Sequence, residues 1–308
     1  MKIDFDKTIR KAFELVWKNS YLAVLGIFAA FGAGGGNFSS IWNSKTSNSP
    51  SAESVLYFFS NTGHRISIHV AIVTIIAAVT FIVGLVLIYL SISARAGLII
   101  AVDSLDGGEN KFGFWSALFA GGKFFWRMIG FMILLGLAIF VIIAILIGLI
   151  VGLILLAVFV TPWLLIVAIP ISLAIIFAII VIAIFFGLLT EFAVRILVLE
   201  KKSITGAIKS AINFIKMNLG QIILARLIQV AISIAVGIAF AITAITAGVI
   251  LFALGFGIYK LGGINAGIIY GFPVALIFLV AIIYVGGGIT AYFSSYWTLA
   301  YKQLRIQS

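Results

Sequence analysis

Glu191 and Arg195 stand four residues apart in a stretch otherwise poor in charge, which puts an acid and a base on one face of a helix. The acid lies toward the amino end, the order such pairs prefer. Ionisable groups in apolar sequence are candidates for contacting a lipid phosphate or a substrate, or for holding one another as a structural pair. Arg95 occupies the corresponding place in an earlier hydrophobic stretch, and Gln221, Arg226 and Gln229 form a modestly polar patch in a later one. The candidate lipid or substrate contacts are therefore Arg95, Glu191, Arg195, Arg226 and Gln229, and the chemistry they could perform is binding.

Other chemistry finds little support in the residue types. There are no cysteines, which excludes disulfides, thiolate metal sites and cysteine nucleophiles. His64 and His69 are five apart, off the four-residue spacing of a zinc pair, and no acid completes a ligand set. Asp103, Asp106 and Glu109 flank Gly107-Gly108 without the alternating spacing of a calcium loop, so they read as a solvated turn. The glycine-rich stretches lack the strand and lysine of a nucleotide site. The expectation is a chain with no catalytic, metal or cofactor site.

The elements that must position these residues follow from composition. At 64% hydrophobic and 9% charged, the chain is far from the roughly half apolar and about a quarter charged make-up of soluble domains. The 63 residues between Arg127 and Glu191 carry no charge at all, enough for two crossings at about 20 residues each. The sequence predicts an all-α, polytopic integral membrane protein forming a single membrane domain over 1–308. Six transmembrane helices are expected: Tyr21 to Phe31, Ile66 to Val102, Met128 to about Val151, Ile171 to about Thr190, about Ile222 to Ala247, and Pro273 to about Ser294. Thr161-Pro162-Trp163 and Pro170 place a turn between Leu153 and Pro170, since proline suits a helix's first turn and breaks its interior. Ser- and Asn-rich 37–65 reads as an external loop, and apolar, glycine-rich Leu254 to Gly271 as a tight one. Gly148 with Gly152, and Gly263, Gly267 and Gly271, have the four-residue spacing that lets helices approach closely.

Three amphipathic segments precede spans. In Ile3 to Gly26, Lys7, Lys11, Glu14 and Lys18 recur at helical spacing, with Ile9, Ala12, Phe13 and Val16 mainly on another face. Phe112 to Arg127 places Ser116, Ala120, Lys123 and Arg127 in a stripe, and the segment from Ser203 does so with Thr205, Lys209, Asn213 and Lys216. A shift of 109 residues lays Val16-Trp17-Lys18 on Phe125-Trp126-Arg127, and a shift of 198 lays it on Phe214-Ile215-Lys216. The chain thus divides into pseudo-repeats 1–103, 104–202 and 203–308, each an amphipathic interfacial helix plus a transmembrane hairpin. A cleaved signal peptide competes for the first segment, but its positive region is long and carries Asp4, Asp6 and Glu14, and its sister copies are internal.

Two crossings per unit bring every amphipathic segment to one face, where all 20 basic residues except Lys45, Arg65 and Lys260 then lie. The positive-inside rule makes that face cytoplasmic, with both termini inside. Net charge +11 is accounted for by topology and anionic headgroups, at about 1 kcal/mol per basic residue near such a surface, without a nucleic-acid partner. Lys7, Lys11, Lys18, Lys123, Arg127, Lys209 and Lys216 make up the expected interfacial basic face.

Ala12-Phe13-Glu14-Leu15-Val16-Trp17-Lys18-Asn19, Val198-Leu199-Glu200 followed by Ala207 to Asn218, and Ser295-Tyr296-Trp297-Thr298-Leu299-Ala300-Tyr301 lie at the ends of several spans. In these the chain resembles bacterial multi-pass proteins similar to the membrane domain found beside glycerophosphodiester phosphodiesterases. The resemblance implies a protein of the bacterial cytoplasmic membrane and assigns no activity. The expected function is non-enzymatic, organising membrane or handling lipid through the basic interfacial helices. The alternative is a transporter or channel with a polar pathway between repeats.

Overall fold

The computed structural model describes residues 4–32, 66–109, 112–159 and 165–307. Among them the chain is helical with no strand: α1 (Phe5–Lys18), α2 (Tyr21–Gly32), α3 (Ile66–Asp106), α4 (Phe114–Gly122), α5 (Phe125–Phe159), α6 (Leu165–Leu199), α7 (Ile204–Met217) and α8 (Leu219–Gln307). Five stretches are long and apolar enough to cross a membrane: Val73–Asp106, Phe125–Leu156, Ile166–Leu199, Leu219–Lys260 and Gly271–Ile306. They mark the chain as membrane-embedded. Apolar Tyr21–Phe31 is shorter, about 16 Å at the helical rise, against a hydrocarbon core of about 30 Å. The expected external loop 37–65, with His64, lies outside the described residues.

The short helices start and stop where local chemistry dictates. Asp4 accepts a hydrogen bond from the Lys7 amide at 3.1 Å and Ser203 from that of Gly206 at 3.3 Å, each meeting one of the unpaired N–H groups of a helix start. At the far ends, Asn19 donates to the Leu15 carbonyl at 2.9 Å and Asn218 to that of Phe214 at 3.1 Å. α7 buries Ala207, Ala211 and Ile215 and exposes Thr205, Lys209, Asn213 and Lys216, as its periodicity requires. In α1 the buried positions are Thr8 and Ala12, while Phe13 and Trp17 stack outward with ring centroids 5.7 Å apart.

Several boundaries differ from the sequence reading. The second amphipathic segment is two helices, because the chain turns at Lys123-Phe124; Arg127 belongs to the first turn of α5 and not to the stripe of α4. Helix continues to Phe159 and resumes at Leu165, so Pro170 sits inside α6 near its start, where it removes only one early backbone bond. Pro273 is likewise interior, and Leu254 to Gly271 is no loop: α8 is helical on both sides of a single break at Gly263 (φ 72°, ψ −170°). Only glycine takes up that left-handed φ without strain. The two arms of α8 meet again farther on, Val236 and Val285 lining one cavity and the Tyr296 hydroxyl donating to the Ala225 carbonyl at 3.0 Å.

The glycines that bring helices together are also not the expected ones. A Cβ on Gly148, Gly152 or Gly271 would meet nothing within 4 Å. Gly26 of α2 instead lies against Gly287 of α8, and Gly121 of α4 against Ser93 and Gly97 of α3, so closely that a Cβ would come within 2.0 Å of a backbone oxygen in each case. Neither pair is visible as a four-residue motif because its members come from different helices.

Packing concentrates at one end of the bundle. The main core joins Ile99, Phe131, Phe192, Ala211 and Trp297, whereas long runs such as Val73 to Ile88 and Phe140 to Phe159 are mostly exposed apolar surface. The packed end is also the charged end. Lys302 reaches Asp103 and Asp106, both at 2.7 Å, and Lys11 pairs with Asp106, joining α1, α3 and the last turns of α8. Gln303 donates to the Thr8 hydroxyl at 3.0 Å.

Glu200, just beyond α6, accepts from the Tyr301 hydroxyl and pairs with Lys202 at 2.9 Å and Arg305 at 3.3 Å. Burial pushes its carboxyl up, but the hydrogen bonds from Lys202 and Tyr301 outweigh it and hold the group below the usual glutamate value of 4.5. The folded value is therefore the lower one, so the stabilisation is complete above pH 4.5 and is lost as pH falls through the folded value. Thermal unfolding in detergent should show wild type losing its advantage over Glu200→Gln across that acidic window. A constant difference down through it would contradict this account.

Candidate functional site

Four of the five candidate residues line one cavity of about 260 Å³ at the packed end: Arg95 from α3, Glu191 and Arg195 from α6, and Gln229 from the first arm of α8. The second arm closes it with Thr290, Phe293, Ser294 and Trp297, and α2 adds Ala29. Arg226, the fifth residue, stands just behind and donates to the Gln229 side-chain oxygen at 2.6 Å. That oxygen also accepts from the Trp297 indole at 3.0 Å, which fixes the Gln229 amide between two donors.

Arg195 is the buried centre, 3% exposed. It donates to the Glu191 carboxylate at 2.7 Å, to the Glu191 carbonyl at 2.5 Å and, across to α8, to the Ser294 carbonyl at 3.2 Å. Its Nε is buried and finds no hydrogen-bond partner among the described residues. The i,i+4 spacing thus delivers the expected pair, and the tertiary fold adds a third helix to it. Arg95 is half-buried and makes no hydrogen bond or ion pair among the described residues. Arg195 is in contact with Glu191, Arg95 lines the same cavity, and Arg226 is near enough for its charge to act on the same carboxylate. In a low-dielectric setting such an excess of positive charge favours an anion, and guanidinium forks suit phosphate or carboxylate oxygens.

Sequence reasoning missed Ser294, Thr290 and Trp297 as members of this site. Ser294 acts through its backbone carbonyl, and Trp297 lies beyond the expected end of the sixth span, so neither offered a side-chain signal at helical spacing.

The basic residues singled out by periodicity are spread over the outside of the packed end. Lys7, Lys18, Lys123, Arg127, Lys209 and Lys216 are exposed, while Lys11 is partly buried in its pair with Asp106. Lys18 is matched by Glu14 at 2.5 Å, and Arg127 reaches the Lys201 carbonyl at 3.5 Å. Beside them Trp17 is 78% and Trp126 79% exposed, the placement of aromatics at a membrane–water boundary. The third triplet differs, because Ile215 is buried and Phe214 packs on Phe192 at 5.2 Å. Among the described residues no group of three His, Asp or Glu could hold a metal ion.

Residues 12–304 match a family of unknown function, DUF7544, and the chain belongs to it. The match carries no link to the phosphodiesterase-associated membrane domains. No curated protein and no solved structure matches the chain.

Proposed function

We propose that this chain is a non-enzymatic membrane protein that holds the anionic headgroup of a membrane lipid in the cavity between α3, α6 and α8. The observation that carries the reading is the surplus of arginine: Arg95 lines the cavity with no carboxylate in ion-pair contact among the described residues, beside a buried Arg195 already committed to Glu191. Positive charge in excess of the one carboxylate it shares is costly in apolar surroundings and marks a candidate binding site. The exposed lysines and tryptophans of α1, α4, α5 and α7 seat the same end of the bundle at an anionic surface and raise the local concentration of such headgroups.

A conduction pathway is less well supported, because the neighbouring cavity along α8 is lined by Phe13, Val16, Val236, Val285 and Ile289, an apolar continuation and not a polar one. Six crossings, with α2 beginning the first, keep both termini on the cytoplasmic side of a bacterial cytoplasmic membrane in this proposal. A threefold repeat is supported by the way short helices follow long ones: α4 packs on α3 through Gly97 and Gly121, α7 on α6 through Phe214 and Phe192, and α1 on the end of α8 through Thr8 and Gln303.

The test is lipid retention by protein purified in neutral detergent, read by native mass spectrometry with phosphatidylglycerol against phosphatidylcholine. Wild type should keep phosphatidylglycerol selectively, and Arg95→Gln should weaken it about tenfold or more, the scale of one lost charge-assisted hydrogen bond. Equal retention of both lipids, or an Arg95→Gln protein that behaves as wild type, sinks the reading. Neutralising Lys7, Lys18, Lys209 and Lys216 should lower binding to anionic liposomes while leaving that selectivity in place.

A further inference from the structure

Beside the cationic cavity runs a second, larger one of about 750 Å³, roofed by α1 and floored by both arms of α8. Phe293 belongs to the walls of both, so the two are neighbours across one ring. The larger cavity continues in turn into a third of about 370 Å³ between the arms of α8, sharing Val236, Val285 and Ile289 with it. Apart from Arg10, which is paired with Asp6, the charged residues lining this row of neighbouring cavities stand at one end, and mainly apolar surface lines the rest. That is the polarity of a phospholipid.

We infer that the run of cavities holds one whole anionic phospholipid, its head at Arg95 and an acyl chain drawn past Phe293 under α1 and along α8. The inference rests on the headgroup reading and adds the chain. Arg10, at the rim of the larger cavity, is already paired with Asp6 at 3.0 Å and is exposed, so it does not compete with Arg95 as the headgroup's anchor. Phe13 and Trp17, which a soluble fold would turn inward, instead line this groove on its α1 side. Their placement explains why the first amphipathic segment is aromatic on a face that does not pack on the protein. Gly288 keeps the floor low: a Cβ there would meet only the Ala23 methyl, at 4.0 Å, so the position has room for the first carbon of a side chain in a residue that lines the groove.

Full-length protein in neutral detergent is titrated with dipalmitoyl phosphatidic acid, glycerol 3-phosphate and dipalmitoylglycerol, with retention read by native mass spectrometry and thermal shift. Wild type should bind the phosphatidic acid at least tenfold more tightly than either fragment. Gly288→Phe should remove most of that advantage while leaving glycerol 3-phosphate binding and basal melting temperature unchanged, and Ile289→Trp should act the same way from the neighbouring position. If glycerol 3-phosphate binds as well as the phosphatidic acid and neither variant matters, the chain site is overturned and the headgroup reading survives. If dipalmitoylglycerol binds as tightly as the phosphatidic acid, an anionic lipid is not the occupant. If Arg95→Gln leaves phosphatidic acid binding untouched, the headgroup reading falls as well.

Discussion

A leucine at Gly26 is expected to unfasten α2 from α8 and to cost about 3 kcal/mol or more, the upper end of overpacking penalties. A Cβ at Gly26 would stand 2.0 Å from the Gly287 carbonyl oxygen and 2.8 Å from its carbon, atoms of a helix backbone that cannot swing aside. The reverse substitution meets the same wall, since a Cβ on Gly287 falls 2.4 Å from the Ala23 oxygen. α2 carries Ala29 into the wall of the cationic cavity, so its displacement should also loosen headgroup retention. Melting of the purified protein in detergent checks the first effect, with Gly148→Leu as the control. Gly148 has nothing within 4 Å of its Cβ position, and leucine is the better helix former by up to about 1 kcal/mol, so that variant should melt at or above the wild-type temperature. A Gly26→Leu protein as stable as the Gly148→Leu protein would show that the helix contact is not tight.

Removing Glu191 should be nearly as damaging for an electrostatic reason. Arg195 is 3% exposed, and its carboxylate partner, 2.7 Å away, is itself only 28% exposed. Glu191→Leu leaves that guanidinium buried with two backbone carbonyls and with Arg95 nearby, a loss of about 3–5 kcal/mol for an orphaned buried charge. At the size of this chain the melting temperature should drop by on the order of 10 °C. Glu191→Gln keeps an acceptor oxygen and should lose less. Glu191→Leu combined with Arg195→Met removes both charges and should recover much of the stability, because replacing a buried pair by apolar side chains is often neutral. Equal damage from the single and double replacements would mean that the orphaned Arg195 charge is not the cause of the loss.

Glu191 and Arg195 were legible because helical periodicity is local: four residues set their common face whatever else the chain does. Arg95, Arg226 and Gln229 were legible as polar residues out of place in apolar sequence, since water is absent there to make them inexpensive. Their convergence on one cavity was not. It depends on which helices are neighbours, and in spans as uniformly apolar as α5 and α6 no periodic pattern singles out a packing face. The same reason explains the glycines. Gly148 and Gly152 matched a spacing and met nothing, whereas Gly26 and Gly287 sit in helices far apart in sequence and meet backbone to backbone.

Composition by itself determined that this chain is helical and membrane-embedded, because the backbone of so apolar a chain must satisfy its hydrogen bonds within its own segments. The order of residues determined the amphipathic character of α1 and α7. Tertiary structure decided what local signals leave open: that Pro170 and Pro273 lie inside helices, that one glycine at positive φ divides α8, and that Trp297 lines the same cavity as Arg95 and Arg195. Proline and glycine set only local backbone cost, which packing of long helices offsets. The partner of a polar side chain is set by the one arrangement in which every helix of the packed end finds its neighbours.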